Sequence, residues 1–249
     1  MTATLPSFYR LVQHDRIGST NDEAKRLAAA GAAEGTLVWA LAQSAGHGRQ
    51  GRHWISPPGN LYASVVLRPD VPAAVGAQLS FAAALAVAES CADLAPAAAL
   101  TVKWPNDVLL AGRKTAGILL ESQTKADGHL AWLVLGIGIN LATYPVDVDY
   151  PATALSATGA EIVPDAMLGA LARRFLTRYA QWDQGRGFAA LREAWLGRAQ
   201  GLGKPLRVRQ AAGDLHGIFA GIDRDGALLL QMQDGARRIE AGDVFPTLS

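Results

Sequence analysis

The segment Gly46-His47-Gly48-Arg49-Gln50-Gly51-Arg52 sets two arginines and a histidine among glycines, with Trp54 just behind it. Backbone amides of a glycine-rich turn form an anion-binding concavity, and arginine forks grip phosphate or carboxylate in a bidentate way. The segment therefore suits a phosphorylated or carboxylated ligand held against backbone, although a surface loop with solvated charges would have the same composition. It is not a Walker A loop, because no Gly-Lys-Ser/Thr follows.

Other candidate groups lie to either side. Ser19-Thr20-Asn21 opens a helical stretch. A helix N-cap accounts for these residue types, and the free amides and positive dipole end there also favour a carboxylate. Lys103-Trp104-Pro105-Asn106-Asp107 interrupts apolar strand sequence with a compact polar cluster. Pro105 discourages continuous laddering, so Asn106 and Asp107 are expected to project at a bend, as they also would in a plain Asx turn. Arg113 and Lys114 follow a hairpin turn, where cations are commonly solvated. "GIGIN" (136–140) lacks the third glycine of a dinucleotide fingerprint, with Leu141 in its place, and opens no helix. It reads as a small-residue strand that allows close ligand approach, with Asn140 as its polar group. The five histidines show no paired metal-ligand spacing, no nucleophile elbow is present, and the lone Cys91 reads as a core residue.

These groups need a frame. "TNDEAKRLAAAG" predicts a helix with a capping box from Thr20 to Glu23 and a left-handed stop at Gly31. "TLVWALAQ" and "NLYASVVLRP" read as strands, and "GAQLSFAAALAVAESCADL" as a buried helix. The segments from Thr101 to Leu141 are joined by turns too short for crossover helices, which predicts an antiparallel meander. Two amphipathic helices follow. From Gly201 short β runs are separated by "AGD", "RDG" and "QDG" turns, which suggests a small barrel. The fold class expected is α+β, with a catalytic unit over 1–200 and a β-barrel unit over 201–249. A formal net charge of +1 gives no global field for nucleic acid or an anionic membrane. The single cysteine and the lack of a signal-like start fit a cytoplasmic protein, and the most apolar window, "LSFAAALAVAES", is short of a bilayer span.

In order, "STN", "QSAGHGRQGRHW", "KWPND", "GRKTAGIL" and "GIGIN" resemble the catalytic domain of biotin protein ligases, from about Phe8 to Gly201. The β-rich tail resembles that family's SH3-like C-terminal domain. The resemblance implies a class II synthetase-like mixed sheet, mostly antiparallel and flanked by helices, that makes biotinoyl-5′-AMP from biotin and ATP with Mg²⁺. The biotinyl group would then pass to a lysine of a biotin carboxyl carrier protein. By motif position, Ser19, Thr20, Asn21, Gln43, His47 and Gly48 would hold biotin. Lys114, Arg49 and Lys103 would serve the chemistry, Lys114 and Arg49 touching biotin as well. Gly46, Arg52, Trp54, Asn106, Asp107 and Asn140 would serve the nucleotide, and no metal ligand is assigned. The family's loop usually carries arginine where this chain has His47, and histidine cannot form the same fork.

Some members of that family carry an N-terminal helix-turn-helix domain and act as repressors. Only a handful of residues precede the first strand here, so DNA binding is not expected. A homodimer is the family's analogy. The alternatives are a lipoate or octanoate ligase on the same scaffold, a non-catalytic biotin or adenylate sensor, and a single-stranded nucleic-acid binder. The last lacks an extended basic groove with repeated aromatic platforms.

Overall fold

The computed structural model describes residues 4–246 apart from 147, 149, 211 and 212. The extreme ends of the two expected units, 1–3 and 247–249, lie outside the described residues. Seven strands build the larger sheet: β1 (Arg10–Ile17), β2 (Thr36–Gln43), β3 (Leu61–Leu67), β4 (Leu100–Lys103), β5 (Asp107–Leu110), β6 (Arg113–Thr124) and β7 (Leu130–Ile139). Their order is β1-β2-β3-β7-β6-β5-β4. β1 and β2 run parallel because helix α1 (Thr20–Ala29) crosses between them. The other neighbours are antiparallel. At the β5–β6 turn Ala111 and Gly112 both have left-handed φ, 49° and 76°, as a tight hairpin demands. β4 and β5 pair across the bend at 104–106, where the Trp104–Pro105 peptide is cis.

Alternation sorts the side chains onto two faces. Leu61, Ala63, Val65 and Leu67 of β3, with Leu133, Leu135, Ile137 and Ile139 of β7, belong to the main core. Helices α3 (Leu79–Leu94), α4 (Pro164–Trp182) and α5 (Phe188–Leu196) complete that core. Val66 and Val134 face the other way, onto Ala24 and Ala28 of α1. With the short α2 (Ala73–Gly76), α3 forms a stretch, Ala73–Leu94, long and apolar enough to cross a bilayer, more than the window "LSFAAALAVAES" indicates. Its residues are mostly buried within the protein instead. A helix apolar all round has this alternative, and its alanines let the neighbouring elements approach closely. Cys91 lies within it, fully buried, and burial pushes its thiol pKa up to about 12.

The expected capping box does not form. Ser19, not Thr20, is the N-cap, and its hydroxyl accepts from the Asp22 amide at 3.4 Å. Thr20 is drawn into the helix because its amide and hydroxyl both donate to Gln43 Oε1, at 2.7 and 3.1 Å. Glu23 pairs with Arg26 rather than reaching back to the cap. Gly31 takes the predicted left-handed conformation, φ 88°.

Beyond the helices, β8 (Pro205–Gln210), β9 (Gly213–Ile222), β10 (Leu228–Met232), β11 (Gly235–Ile239) and β12 (Asp243–Pro246) form a second sheet, antiparallel in the order β11-β10-β9-β8-β12. It is fastened to the first unit by buried groups. The Trp104 indole donates to Gly226 O at 3.0 Å, and Arg192 Nη1 to Ile222 O at 3.1 Å.

Leu85 is fully buried at the centre of α3. Leu85→Ala is expected to cost about 2–5 kcal/mol by loss of transfer energy and a residual cavity. Urea unfolding would show a lowered midpoint with an unchanged slope.

Candidate active site

On the face of the sheet that carries α1, the floor of the site is missing side chains. Gly138 and Gly136 of β7 stand opposite Tyr62 and Ser64 of β3, and Gly138 pairs on its other side with Gly117 of β6. The hollow is part of a cavity of about 790 Å³. Both "GIGIN" glycines are covered by the protein's own groups. A Cβ on Gly136 would meet Asn21 Oδ1 at 1.9 Å, and one on Gly138 would meet the Trp54 indole at 2.6 Å. The close approach inferred for this strand is therefore made first by Asn21 and Trp54.

One end of the cavity is neutral and hydrogen-bonded. Ser64 Oγ lies 2.6 Å from Asn21 Oδ1 and 2.8 Å from Thr20 Oγ1. Gln43 accepts from Thr20 and donates to Ser56 Oγ at 2.9 Å, and Ser56 donates to Trp54 O. Ser19, Thr20 and Asn21 are at most 5% exposed, so these groups cannot reorient freely. Asn21 Nδ2 and Gln43 Nε2 each spend one N–H on a protein partner, which leaves a second donor on each amide.

The other end is cationic. The bend places Asp107, 7% exposed, between two lysines: Oδ1 is 2.6 Å from Lys114 Nζ and Oδ2 is 3.3 Å from Lys103 Nζ. Burial raises the Asp107 pKa, but Lys114 and Lys103 outweigh it and hold the carboxyl below its ordinary range. Lys114 is not the solvated hairpin cation its position allows. Its ammonium sits 5.5 Å from the Trp54 ring centroid and 5.0 Å from that of Tyr150. Its backbone is tied down by Pro151 O and the Thr153 amide. Arg113, its exposed neighbour, lies over Tyr144.

The glycine–arginine loop crosses this end. Arg49 Nη1 donates to Asn106 Oδ1 at 3.3 Å, and Asn106 is fixed by donating to Ile118 O at 2.6 Å. Burial lowers the Arg49 pKa, so a half-buried guanidinium with one side-chain hydrogen bond faces the cavity. Arg52 Nη2 lies 2.8 Å from both oxygens of Asp243 in β12, which ties the loop to the second sheet. His47 stands toward α1, its Nε2 3.5 Å from Glu121 Oε2.

Most of the residues singled out from sequence line this cavity: Ser19, Thr20, Asn21, Gln43, His47, Gly48, Arg49, Arg52, Trp54, Asn106, Asp107 and Lys114. Three do not. Lys103 acts from behind Asp107. Gly46 is buried, with Ser56 Oγ, Trp54 O and Gln43 Nε2 all under 3.0 Å from where a Cβ would sit, so it closes the base of the loop. Asn140 is 3% exposed and donates to Thr153 O, supporting the segment that clasps Lys114. Sequence reasoning missed Tyr62 and Tyr150, and Arg209, Asp243 and Phe245 of the second sheet, all on the wall, as well as Ser64, buried behind Thr20 and Asn21. Ser64 had a local signal, a polar residue inside an apolar strand. The others depend on long-range folding.

The biotin/lipoate A/B protein ligase family model matches residues 14–140, and the biotin protein ligase C-terminal domain model matches 201–245. The chain is 45% identical over 237 residues to the biotin–[acetyl-CoA-carboxylase] ligase of Paracoccus denitrificans, covering 92% of this chain and 98% of that protein. It is 37% identical to the enzyme of that name from Mycobacterium tuberculosis, covering 91% of this chain and 85% of the other. Among solved structures, the biotin protein ligase from Aquifex aeolicus in complex with biotin and ATP superposes with a TM-score of 0.82 at 25% identity, over 96% of this chain and all of that one.

Asp107 yields a stability prediction. Its lowered pKa contributes stability above the unfolded carboxyl value, about 3.9, and that contribution fades as pH falls through the folded value. Asp107→Asn is expected to lose about 1–3 kcal/mol at neutral pH, less than a fully buried pair would, because both ammoniums are partly exposed. Urea titrations at a series of pH values would show the mutant's profile flatter than wild type on the acid side.

Proposed function

This chain belongs to the biotin/lipoate A/B protein ligase family, and from that membership and the chemistry of the cavity we infer that it activates biotin with ATP and transfers it to a carrier-protein lysine. The observation that carries the inference is the division of one cavity into a hydrogen-bonding end and a cationic end, bridged by the lid loop. Biotin has the matching halves, a polar ureido ring and a carboxylate. The spare amide donors of Asn21 and Gln43 serve the ring, and Lys114 and Arg49 serve the carboxylate where it meets the α-phosphate.

In the first half-reaction a biotin carboxylate oxygen forms a bond to the α-phosphorus of ATP, and pyrophosphate leaves. Two anions must approach, so fixed cations lower the barrier by meeting charge where it develops. Lys114 is held between two aromatic faces and needs little reorganisation for this task. Lys103, behind Asp107, keeps that carboxylate from fully neutralising Lys114. In the second half-reaction the neutral amine of the carrier lysine attacks the acyl carbon of biotinoyl-5′-AMP, and AMP leaves. No covalent enzyme intermediate is needed; effective molarities of about 10⁵–10⁸ M are available from positioning alone. Arg49, reaching Asn106 from the lid, shields the anhydride from water in the interval.

Mg²⁺ belongs to this reading as a companion of ATP. Among the described residues no group of three or more His, Cys, Asp or Glu side chains is placed to hold a metal ion, and Asp107 is engaged by its lysines. The described residues therefore supply no carboxylate or histidine cage for the ion; brought in with the nucleotide, it would offset phosphate charge. We take residues 1–200 as the catalytic domain and 201–249 as an SH3-like domain that closes the nucleotide end through Asp243, Phe245 and Arg209. The reading includes no DNA partner, and it locates the enzyme in the cytoplasm, where Cys91 stays reduced. A homodimer through a sheet edge would use β1, because the outer edge of β4 is taken by residues 198–200.

Radiolabelled pyrophosphate exchange into ATP, with one acid supplied at a time, tests the reading. Exchange is expected with biotin and not with lipoate or octanoate, whose chain ends would leave buried polar groups without partners; exchange with those acids instead would overturn it. Lys114→Ala is expected to abolish exchange with an unaltered circular-dichroism melt. Arg49→Ala is expected to slow adenylate formation by about 10²–10³-fold, the usual effect of removing a donor to developing charge.

A further inference from the structure

We propose that Glu121 is a positioning residue that joins the floor of the biotin site to its lid, aiming the Asn21 amide and anchoring His47 through one carboxylate. The proposal rests on the biotin reading above and goes beyond it. Glu121 is half-buried on β6 beneath α1 and does not line the cavity, so it acts through other residues. Its Oε1 accepts from Lys25 Nζ at 2.6 Å. Its Oε2 accepts from Asn21 Nδ2 at 2.8 Å and faces His47 Nε2 at 3.5 Å.

The Asn21 amide has its orientation dictated from both sides. Ser64 donates to Oδ1 at 2.6 Å, and Nδ2 must then turn to Glu121. With the carboxylate gone, Ser64 alone orients the amide, and because its hydroxyl can turn to Thr20 and accept instead, the second N–H loses its direction. Burial raises the Glu121 pKa, but Lys25, Asn21 and His47 outweigh it and keep the carboxylate ionised.

At the lid, the charged groups facing the imidazole are Glu121 from β6 and Asp22 from α1, whose Oδ1 is 3.9 Å away. Lys25 pairs with both acids, and His53 is the backbone bridge partner of His47 across the loop. Two carboxylates against one ammonium leave one negative charge beside the His47 ring. An arginine at this position would bring a fixed cation and a forked donor to that charge.

The test is the release rate of preformed biotinoyl-5′-AMP from the full chain, with biotin affinity by calorimetry. Glu121→Gln should release it several-fold faster than wild type, with biotin bound about tenfold more weakly, the loss of one charge-assisted hydrogen bond. In a His47→Ala background the same change should weaken biotin as before but no longer speed release. A Glu121→Gln protein that matches wild type in affinity and release, or one that speeds release equally without the His47 ring, overturns the proposal. Should Glu121→Gln fail to fold by its thermal melt, His47→Ala decides alone, and release no faster than wild type overturns the anchor. Because the adenylate is supplied ready-made, this result is separate from exchange. Absent biotin-dependent exchange refutes the activity, whereas exchange with wild-type release in Glu121→Gln refutes only the anchoring role.

Discussion

A β-sheet that bears a side chain at every position has no depth on its face. The hollow at Gly117, Gly136 and Gly138 is the constraint on which the rest of this site depends. It lies where β3, β7 and β6 are neighbours, so the flanking α1 face, the β5–β6 hairpin and the loop before β3 all open onto it. The glycines admit Asn21 and Trp54 onto the sheet itself, and those two side chains then define the polar end and the aromatic wall. The opposite face needs no such relief. It packs the main apolar core, and it carries the burial energy that keeps the strands in register.

A second regularity is that the cations around the cavity are held by carboxylates of the protein. Asp107 holds Lys114 and Lys103, and Asp243 holds Arg52. Glu121 and Asp22 share Lys25 beside His47. Positive charge is thus assembled before any ligand arrives, and mutual repulsion among the cations is offset in advance. Among the described residues the exceptions are Arg209, which lies over the Phe245 ring, and Arg49, with a neutral amide as its side-chain partner. Burial also disfavours Arg49 as a cation. An anionic ligand beside Arg49 would relieve that penalty.

Local sequence was enough for much of this. Turn residues and short connections gave the meander from β4 to β7, and the texture change at Gly201 marked a second sheet. The residue types of the loop, the "KWPND" bend and the "STN" turn pointed to an anion site, and their order pointed to the family. What local reading could not supply was depth and partnership. The capping box failed because Gln43, distant in sequence, competes for Thr20. Lys114 looked solvated because Trp54 and Tyr150 come to it from other parts of the chain. Asn140 looked like a ligand-facing group, and its burial and its bond to Thr153 O follow from strand packing that no short window encodes. Asp243, Arg209 and Phe245 carried no local mark at all, since their place at the cavity is set by how the second sheet docks.

The chain's one sulfhydryl, that of Cys91, sits in the interior of α3, where burial disfavours its thiolate. Thiolate is the nucleophilic form, so alkylating and maleimide reagents find no native target in the folded protein. Thiol-directed labelling therefore starts from a blank background. A Gln50→Cys substitution at the exposed crest of the loop would carry the single reactive thiol in the molecule. A dye or spin label there could follow the opening and closing of the loop with no native cysteine to remove first.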